Sequence, residues 1–223
     1  MTQPSDSERL SSFVLGLYGE DPYAHVYRAS EEHRESHGEQ CGVYPSSPLS
    51  MRLVSLLIRA TAAKRILEIG CGLGYSALHL AAADPDGSVD TIDRFPQHVS
   101  LALENVSAAG FSQRIRILQG EADNVLPTLS GPYDLVYDDG WFVQEPAYLE
   151  TMLDLIRPGG LLVMSNWFPL QDAVLGHSDI DWSGFSGPDW ADRIQAYARK
   201  LATHPRLHLA FALPRLGLAV KTR

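Results

Sequence analysis

From Arg65 to the C-terminus, short runs apolar on both faces alternate with stretches whose apolar positions recur every three to four residues. Runs such as Leu161-Leu162-Val163-Met164 suit strands covered by helices on both sides, and the longer period between them suits amphipathic helices. The pattern predicts strands near Arg65–Ile69, Ser88–Ile92, Ile115–Gln119, Tyr133–Tyr137 and Leu161–Ser165. Helices are predicted between them, near Tyr75–Ala83, Pro96–Ala109, Ala122–Leu129 and Pro146–Ile156. Such alternation builds an α/β fold: one doubly wound, mostly parallel sheet with helices on both faces. A Trp- and Gly-rich loop over Asp179–Trp190 and a helix near Ala191–Thr203 follow. Two late strands, Leu207–Leu213 and Leu216–Lys221, read as an antiparallel pair at the sheet edge.

The first third of the chain has a different texture. Helical patterns run over Ser7–Leu17 and Pro22–His37, separated by Gly19, with Asp21 placed to cap the second. The stretch SEEHRESHGE in that second helix reads as a solvated face. Cys41–Pro48 is a loop restricted by its prolines, and Ser47 caps a helix that starts at Pro48 and runs to about Ala60. The expected organisation is an N-terminal helical cap region, residues 1–46, followed by a cofactor-binding domain, residues 47–223.

The most informative segment is Arg65–Ala83, RILEIGCGLGYSALHLAAA. An apolar strand runs into glycines at 70, 72 and 74, and a helix opens directly after them. Glycine removes the Cβ that would keep a ligand off the backbone, and the helix aims unpaired N–H groups into the same space. A dinucleotide fingerprint requires a third glycine where this chain has Tyr75. Glu68, two residues before the first glycine, would repel a pyrophosphate but accepts bonds from an ammonium group.

Ligands of open parallel sheets bind beyond the carboxyl ends of the strands, where strand order reverses. Each predicted strand ends usefully there: Glu68-Ile69-Gly70, Asp93, Gly120-Glu121-Ala122, Asp138-Asp139-Gly140 and Ser165-Asn166. Asp93 lies about twenty residues past the glycine turn, where a carboxylate accepts ribose hydroxyls. Asp134 begins a strand and reads as structural.

Composition narrows the partners. The formal charge of −9 over 223 residues argues against nucleic acid as a partner, because no basic excess displaces counterions. The two cysteines, Cys41 and Cys71, form no disulfide framework and lack metal-site spacing. The polar start MTQPSDSERLSS and the lack of a long apolar span predict a cytoplasmic protein with no membrane partner.

The pieces quoted, together with SSPLSMRLVSLLIRATAAK before them and TIDRFPQH, GEA, YDLVYDDG, LIRPGGLLVMSNW and LGLAVKTR after them, resemble a known family. They look like class I S-adenosylmethionine-dependent O-methyltransferases of the catechol and caffeoyl-CoA type, from about Tyr44 to the C-terminus. The resemblance implies S-adenosyl-L-methionine as cofactor and a small-molecule methyl acceptor. It implies that Glu68, Gly70 and Gly72 line the amino-acid end, with Ser76 on the carboxylate. Asp93 would hold the ribose and Ala122 would lie beside the adenine, while Ser47 and Asp139 close over the methionine and Tyr148 reaches the same pocket. Relatives are often homodimers.

Family members bind a divalent cation such as Mg through an aspartate ending the fourth strand and an Asp-Asn pair ending the fifth. Asp139 and Asn166 match two of these ligands, but the third position is Ser165, a poor ligand for a hard cation. The usual downstream charged residues are replaced by Trp141 and Phe142. The expectation is methyl transfer to a hydroxyl of an aromatic or apolar acceptor, with metal dependence weakened or absent. Asp139, or His37 or His177 if their loops fold over the site, would take the proton. Trp141, Phe142, Trp167, Phe168 and Trp182 would surround the acceptor. Three alternatives stand beside this: a tRNA-modifying methyltransferase, a polyamine aminopropyltransferase, and a catalytically inactive cofactor-binding subunit.

Overall fold

A computed structural model describes residues 6–38, 41–140, 144–178, 180–211 and 216–222. Three helices come first: α1 (Asp6–Gly16), α2 (Ala24–His37) and α3 (Pro48–Thr61). The alternating part follows as β1 (Arg65–Ile69), α4 (Tyr75–Ala82), β2 (Ser88–Asp93), α5 (Pro96–Ala108), β3 (Ile115–Gln119), α6 (Ala122–Val125), β4 (Tyr133–Asp138), α7 (Leu149–Leu155) and β5 (Ile156–Met164). The C-terminal elements are α8 (Phe168–Leu175), α9 (Trp182–Ser186), α10 (Trp190–Ala202), β6 (Leu207–Phe211) and β7 (Gly217–Lys221).

The strands form one seven-stranded sheet in the order β3-β2-β1-β4-β5-β7-β6. β1 to β5 pair in parallel, while β7 pairs antiparallel with both β5 and β6. Helices α4 and α5 connect strands running outward in one direction from β1, and β4 and β5 extend the sheet the other way. Strand order therefore reverses between β1 and β4, and a crevice opens at their carboxyl ends.

Alternation along the strands feeds two apolar cores. Ile66, Leu135 and Tyr137 face one side with Met51, Ile58 and Leu78. Leu67, Val136 and Met164 face the other with Met152, Leu153 and Leu201. Helix α10 buries Ile194, Tyr197, Ala198 and Leu201, a three-to-four-residue stripe that seats it on this second core. Asp134 has the structural role expected of it. Its carboxylate accepts from the Lys64 and Arg65 backbone N–H groups at 2.8 Å each and pairs with Arg157 Nε at 2.6 Å, at the end of the sheet away from the crevice.

Four expectations are corrected. Asp21 does not cap α2; Tyr23 holds that position, and the Asp21 carboxylate accepts from the Tyr23 backbone N–H at 2.9 Å and from the Tyr75 hydroxyl at 2.5 Å. The expected loop over Asp179–Trp190 contains helix α9, whose first turn is capped by Asp181 accepting from Gly184 N. Helix α8 has no counterpart among the expected elements. α7 starts at Leu149 instead of Pro146, and β5 starts directly after it at Ile156, with a register irregularity between Tyr133 and Leu135 that accommodates Arg157–Gly160.

Candidate active site

The glycine turn lies over the crevice because its backbone is held from below. Gly70 N and Cys71 N both donate to Ile92 O, at 2.9 and 3.1 Å, and Gly72 N donates to Asp93 Oδ2 at 2.8 Å. Gly70 has φ +95°, and a Cβ built on it would stand 2.9 Å from the Asp139 carbonyl oxygen. That pairing of left-handed backbone and close approach excludes any other residue. Asp139 N in turn donates to Ile69 O at 2.9 Å, so β1 and β4 present Gly70 and Asp139 edge to edge.

Two hollows meet at this edge. The larger, about 490 Å³, is lined on one side by Ser46, Ser47, Gly72 and Ser76 and on the other by Asp139, Ser165, Asn166, Phe168 and Trp182. The second, about 430 Å³, is lined by Asp93, Phe95, His98, Ala122, Gly140 and Tyr148, among others. Gly42, Tyr44, Gly70, Asp93 and Asp139 border both. Ser47, Gly70, Gly72, Ser76, Asp93, Ala122, Asp139 and Tyr148 therefore come together along one trough. Ser47 also caps α3, accepting from Ser50 N at 3.1 Å.

Glu68 lies beneath the trough and not on its surface. It is fully buried, with Oε2 accepting from the Thr91 hydroxyl at 2.5 Å and Oε1 lacking any partner among the described residues. Burial pushes its carboxyl up to about 8, against the pull of the neighbouring Ser76 and Thr91 hydroxyls. A dry carboxyl oxygen without a donor is a cost that a nearby cationic group would offset. Asp93 is 8% exposed, and its second oxygen accepts from Phe95 N at 2.9 Å.

Asp139 is surrounded by donors. Its Oδ2 accepts from Ser46 Oγ at 3.0 Å; its Oδ1 accepts from Ser165 Oγ and from Asn166 Nδ2, the latter at 2.8 Å. Ser46 Oγ also meets the Tyr137 hydroxyl at 2.8 Å. Asn166 reaches in from a left-handed backbone, φ +63°, a conformation asparagine tolerates better than most residues. Burial pushes the Asp139 carboxyl up to about 6, and the Ser165, Ser46 and Asn166 donors hold it from rising further. Ser165, a neutral hydroxyl where a second carboxylate would serve, makes this a poor set for a hard divalent cation. Asp139 already accepts from three protein groups, and among the described residues no cluster of His, Cys, Asp or Glu ligands includes it. Asn166 and Asp139 are hydrogen-bonded to each other.

Asp138 points to the opposite face, as strand alternation requires. It is fully buried, accepts from the Tyr148 hydroxyl at 3.1 Å, and is pushed up to about 7 by burial. Neither expected histidine base reaches the trough: His37 and His177 are exposed, and His37 Nδ1 sits 2.9 Å from the carbonyl of His33. Of the expected aromatic wall, Phe168 and Trp182 line the larger hollow. Trp167 does not; it stacks on Tyr197 at 5.4 Å in the second core. Trp141 and Phe142 lie outside the described residues. Sequence reasoning missed Ser46, whose hydroxyl approaches Asp139 while its neighbour caps a helix. It also missed His98, whose Nδ1 lies 3.4 Å from Asp93 Oδ1.

Known proteins resemble this chain over most of its length. The profile of a family described as O-methyltransferase matches residues 40–218. A catechol O-methyltransferase of Mycobacterium tuberculosis is 38% identical over 117 residues, 52% of this chain and 53% of that protein. One from Niastella koreensis is 34% identical over 125 residues, 54% of this chain and 57% of the relative. The chain thus spans about half the length of these curated relatives. The solved structure of the O-methyltransferase TomG from Streptomyces achromogenes, involved in tomaymycin synthesis and in complex with SAM, superposes with a TM-score of 0.79 at 26% identity, covering 99% of this chain and 100% of that one. With its glycine turn, its acidic strand ends and a matched profile over most of its length, the chain belongs to the O-methyltransferase family.

Proposed function

We propose that this protein transfers a methyl group from S-adenosylmethionine to a hydroxyl of a small aromatic or apolar acceptor, without a divalent cation. The observation that carries the reading is the trough at the β1/β4 reversal, which runs from Asp93 and Ala122 beneath the glycine turn to Asp139 and the Phe168–Trp182 wall. S-adenosylmethionine supplies a sulfonium-activated methyl group when bound. Glu68 and Ser76, with the backbone at Gly70 and Gly72, would hold its amino-acid end, assisted by Ser47. Asp93 would hold the ribose, and Ala122 and Tyr148 would flank the adenine end. Alignment of acceptor and donor, with water kept out, supplies most of the rate. Asp139 stands in the larger hollow beside the aromatic wall and accepts the acceptor's proton.

The direct test is incubation with S-adenosylmethionine and a panel of phenols, with methylated products read by mass spectrometry. Turnover is expected to stay within about twofold when a strong chelator is added. Ser165→Asp is expected to restore a carboxylate beside Asn166 and make the rate respond to added Mg²⁺. A chelator-sensitive native enzyme would refute the cation-free part of this assignment. At the other end of the trough, Asp93→Asn is expected to weaken cofactor binding by about 1 kcal/mol, the usual net value of one hydrogen bond. Calorimetric titration checks it, and an unchanged dissociation constant would remove Asp93 from the ribose.

A further inference from the structure

At the edge of the trough, three potential metal ligands converge to which the proposed methyl transfer assigns no role. His33 comes from α2, Cys41 from the segment before Gly42, and His98 from α5. One ligand atom of each lies within 4.8 Å of the others, and Cys41 Sγ is 3.4 Å from His98 Nε2. We propose that His33, Cys41 and His98 form a binding site for a zinc-class divalent cation, tethering the entrance segment of the trough to α2 and α5.

Three observations support the site. Tetrahedral zinc with bonds of ~2.0–2.3 Å places N and S ligands roughly 3.5 Å apart, and the Cys41–His98 pair already stands at that spacing. His33 Nε2 is buried and makes no hydrogen bond among the described residues, a cost that a cation removes. His98 directs its other ring nitrogen at Asp93 Oδ1, 3.4 Å away. The tautomer that donates from Nδ1 leaves the Nε2 lone pair facing Cys41. A carboxylate behind a ligating imidazole is the arrangement that orients such ligands and raises their basicity. Binding needs the widest pair to close by about an ångström. It releases the Cys41 thiol proton to solvent, and a water molecule completes the fourth position.

The ligand set differs in kind from the one around Asp139. Thiolate and imidazole select zinc or cobalt over magnesium, whereas carboxylate and amide oxygens do the reverse. The site thus binds a cation that has no part in positioning the acceptor. It also places that cation one residue from Gly42, which borders both hollows.

Cobalt is the probe, because a thiolate ligand gives Co²⁺ an intense near-ultraviolet charge-transfer band that oxygen ligands do not. The full chain, stripped with chelator and titrated with Co²⁺, is expected to develop that band with an endpoint of one ion per chain, and Zn²⁺ is expected to displace it. Cys41→Ser should abolish the band and weaken Zn²⁺ binding at least 10–100-fold, roughly the loss seen when only an outer partner is removed. Cys71→Ser should keep the band. If circular dichroism shows Cys41→Ser unfolded, His33→Gln provides the second arm, with the same weakening of Zn²⁺ expected. Saturating Co²⁺ without a thiolate band, a band that survives Cys41→Ser, or unchanged Zn²⁺ affinity in His33→Gln overturns the proposal. None of these measurements depends on methyl transfer, so the site and the activity fail separately.

Discussion

Asp139→Asn is expected to lower the methyl-transfer rate by about 10²–10⁴-fold, the range in which a positioned general base contributes, while leaving the fold and cofactor affinity nearly intact. Asparagine retains the shape and one oxygen, so Ser46, Ser165 and the cofactor trough keep most of their contacts. What it loses is a group that accepts a proton. The pH profile provides an independent check. Burial raises the Asp139 carboxyl from its usual range to about 6, so the basic, ionised form dominates above that pH and disappears below it. Turnover should therefore fall about tenfold per unit as pH drops below 6 and level off above it, provided the step is proton-limited. A single-turnover assay across pH 5–8 reads this directly. An Asp139→Asn enzyme within tenfold of the native rate, or a native rate indifferent to pH 6, would move the base elsewhere. The three donors give the residue a second function. Held by two hydroxyls and an amide, Asp139 keeps a fixed direction while its carboxyl stays raised by burial.

The parts of the architecture legible from sequence are those where one local rule decides. β1 and β4 are apolar on both faces because helices cover both, and the glycines at 70, 72 and 74 mark a turn with positive φ at each. Parts that depend on packing were not legible. Trp182–Ser186 contains Gly184 and reads as a breaker, yet a single Asp181 cap and the burial of Trp182 hold a short helix there. Pro158-Gly159-Gly160 reads as a gap before a strand, yet the sheet takes them into a bulged β5. At the site, Ser46 and Ser47 are equivalent in sequence; only the approach of β4 gives one the carboxylate and leaves the other a cap. Likewise, a serine preceding Asn166 announces a lost ligand, but that Asn166 would turn its amide nitrogen inward follows only from the tertiary position of Asp139.

Glu68→Gln is expected to stabilise the free protein at pH 8 while weakening S-adenosylmethionine binding by about 1.5–3 kcal/mol, the worth of a hydrogen bond to a charged partner. The two effects have one cause. Glu68 is fully buried with one oxygen unpartnered, and burial raises its carboxyl from 4.5 to about 8. A carboxyl whose folded value exceeds its unfolded value binds more protons in the native state, so its contribution to stability falls as pH rises from about 4.5 to 8. Glutamine has no proton to lose and escapes that decline. It should melt at a similar temperature to the native protein near pH 5 and at a higher one at pH 8, by scanning calorimetry. Cofactor binding reverses the preference, because an ammonium group placed above Oε1 favours the carboxylate. At pH 7 the free protein holds the proton, so binding must expel it. Calorimetric titration in two buffers of different ionisation enthalpy should therefore report close to one proton released per cofactor bound by the native chain, and near zero by Glu68→Gln. Equal proton release in both, or unimpaired affinity in the variant, would separate Glu68 from the cofactor and leave its burial a cost without a ligand to offset it. The expected outcome is a protein less stable than its own variant because a site that awaits a cation must keep an acceptor dry.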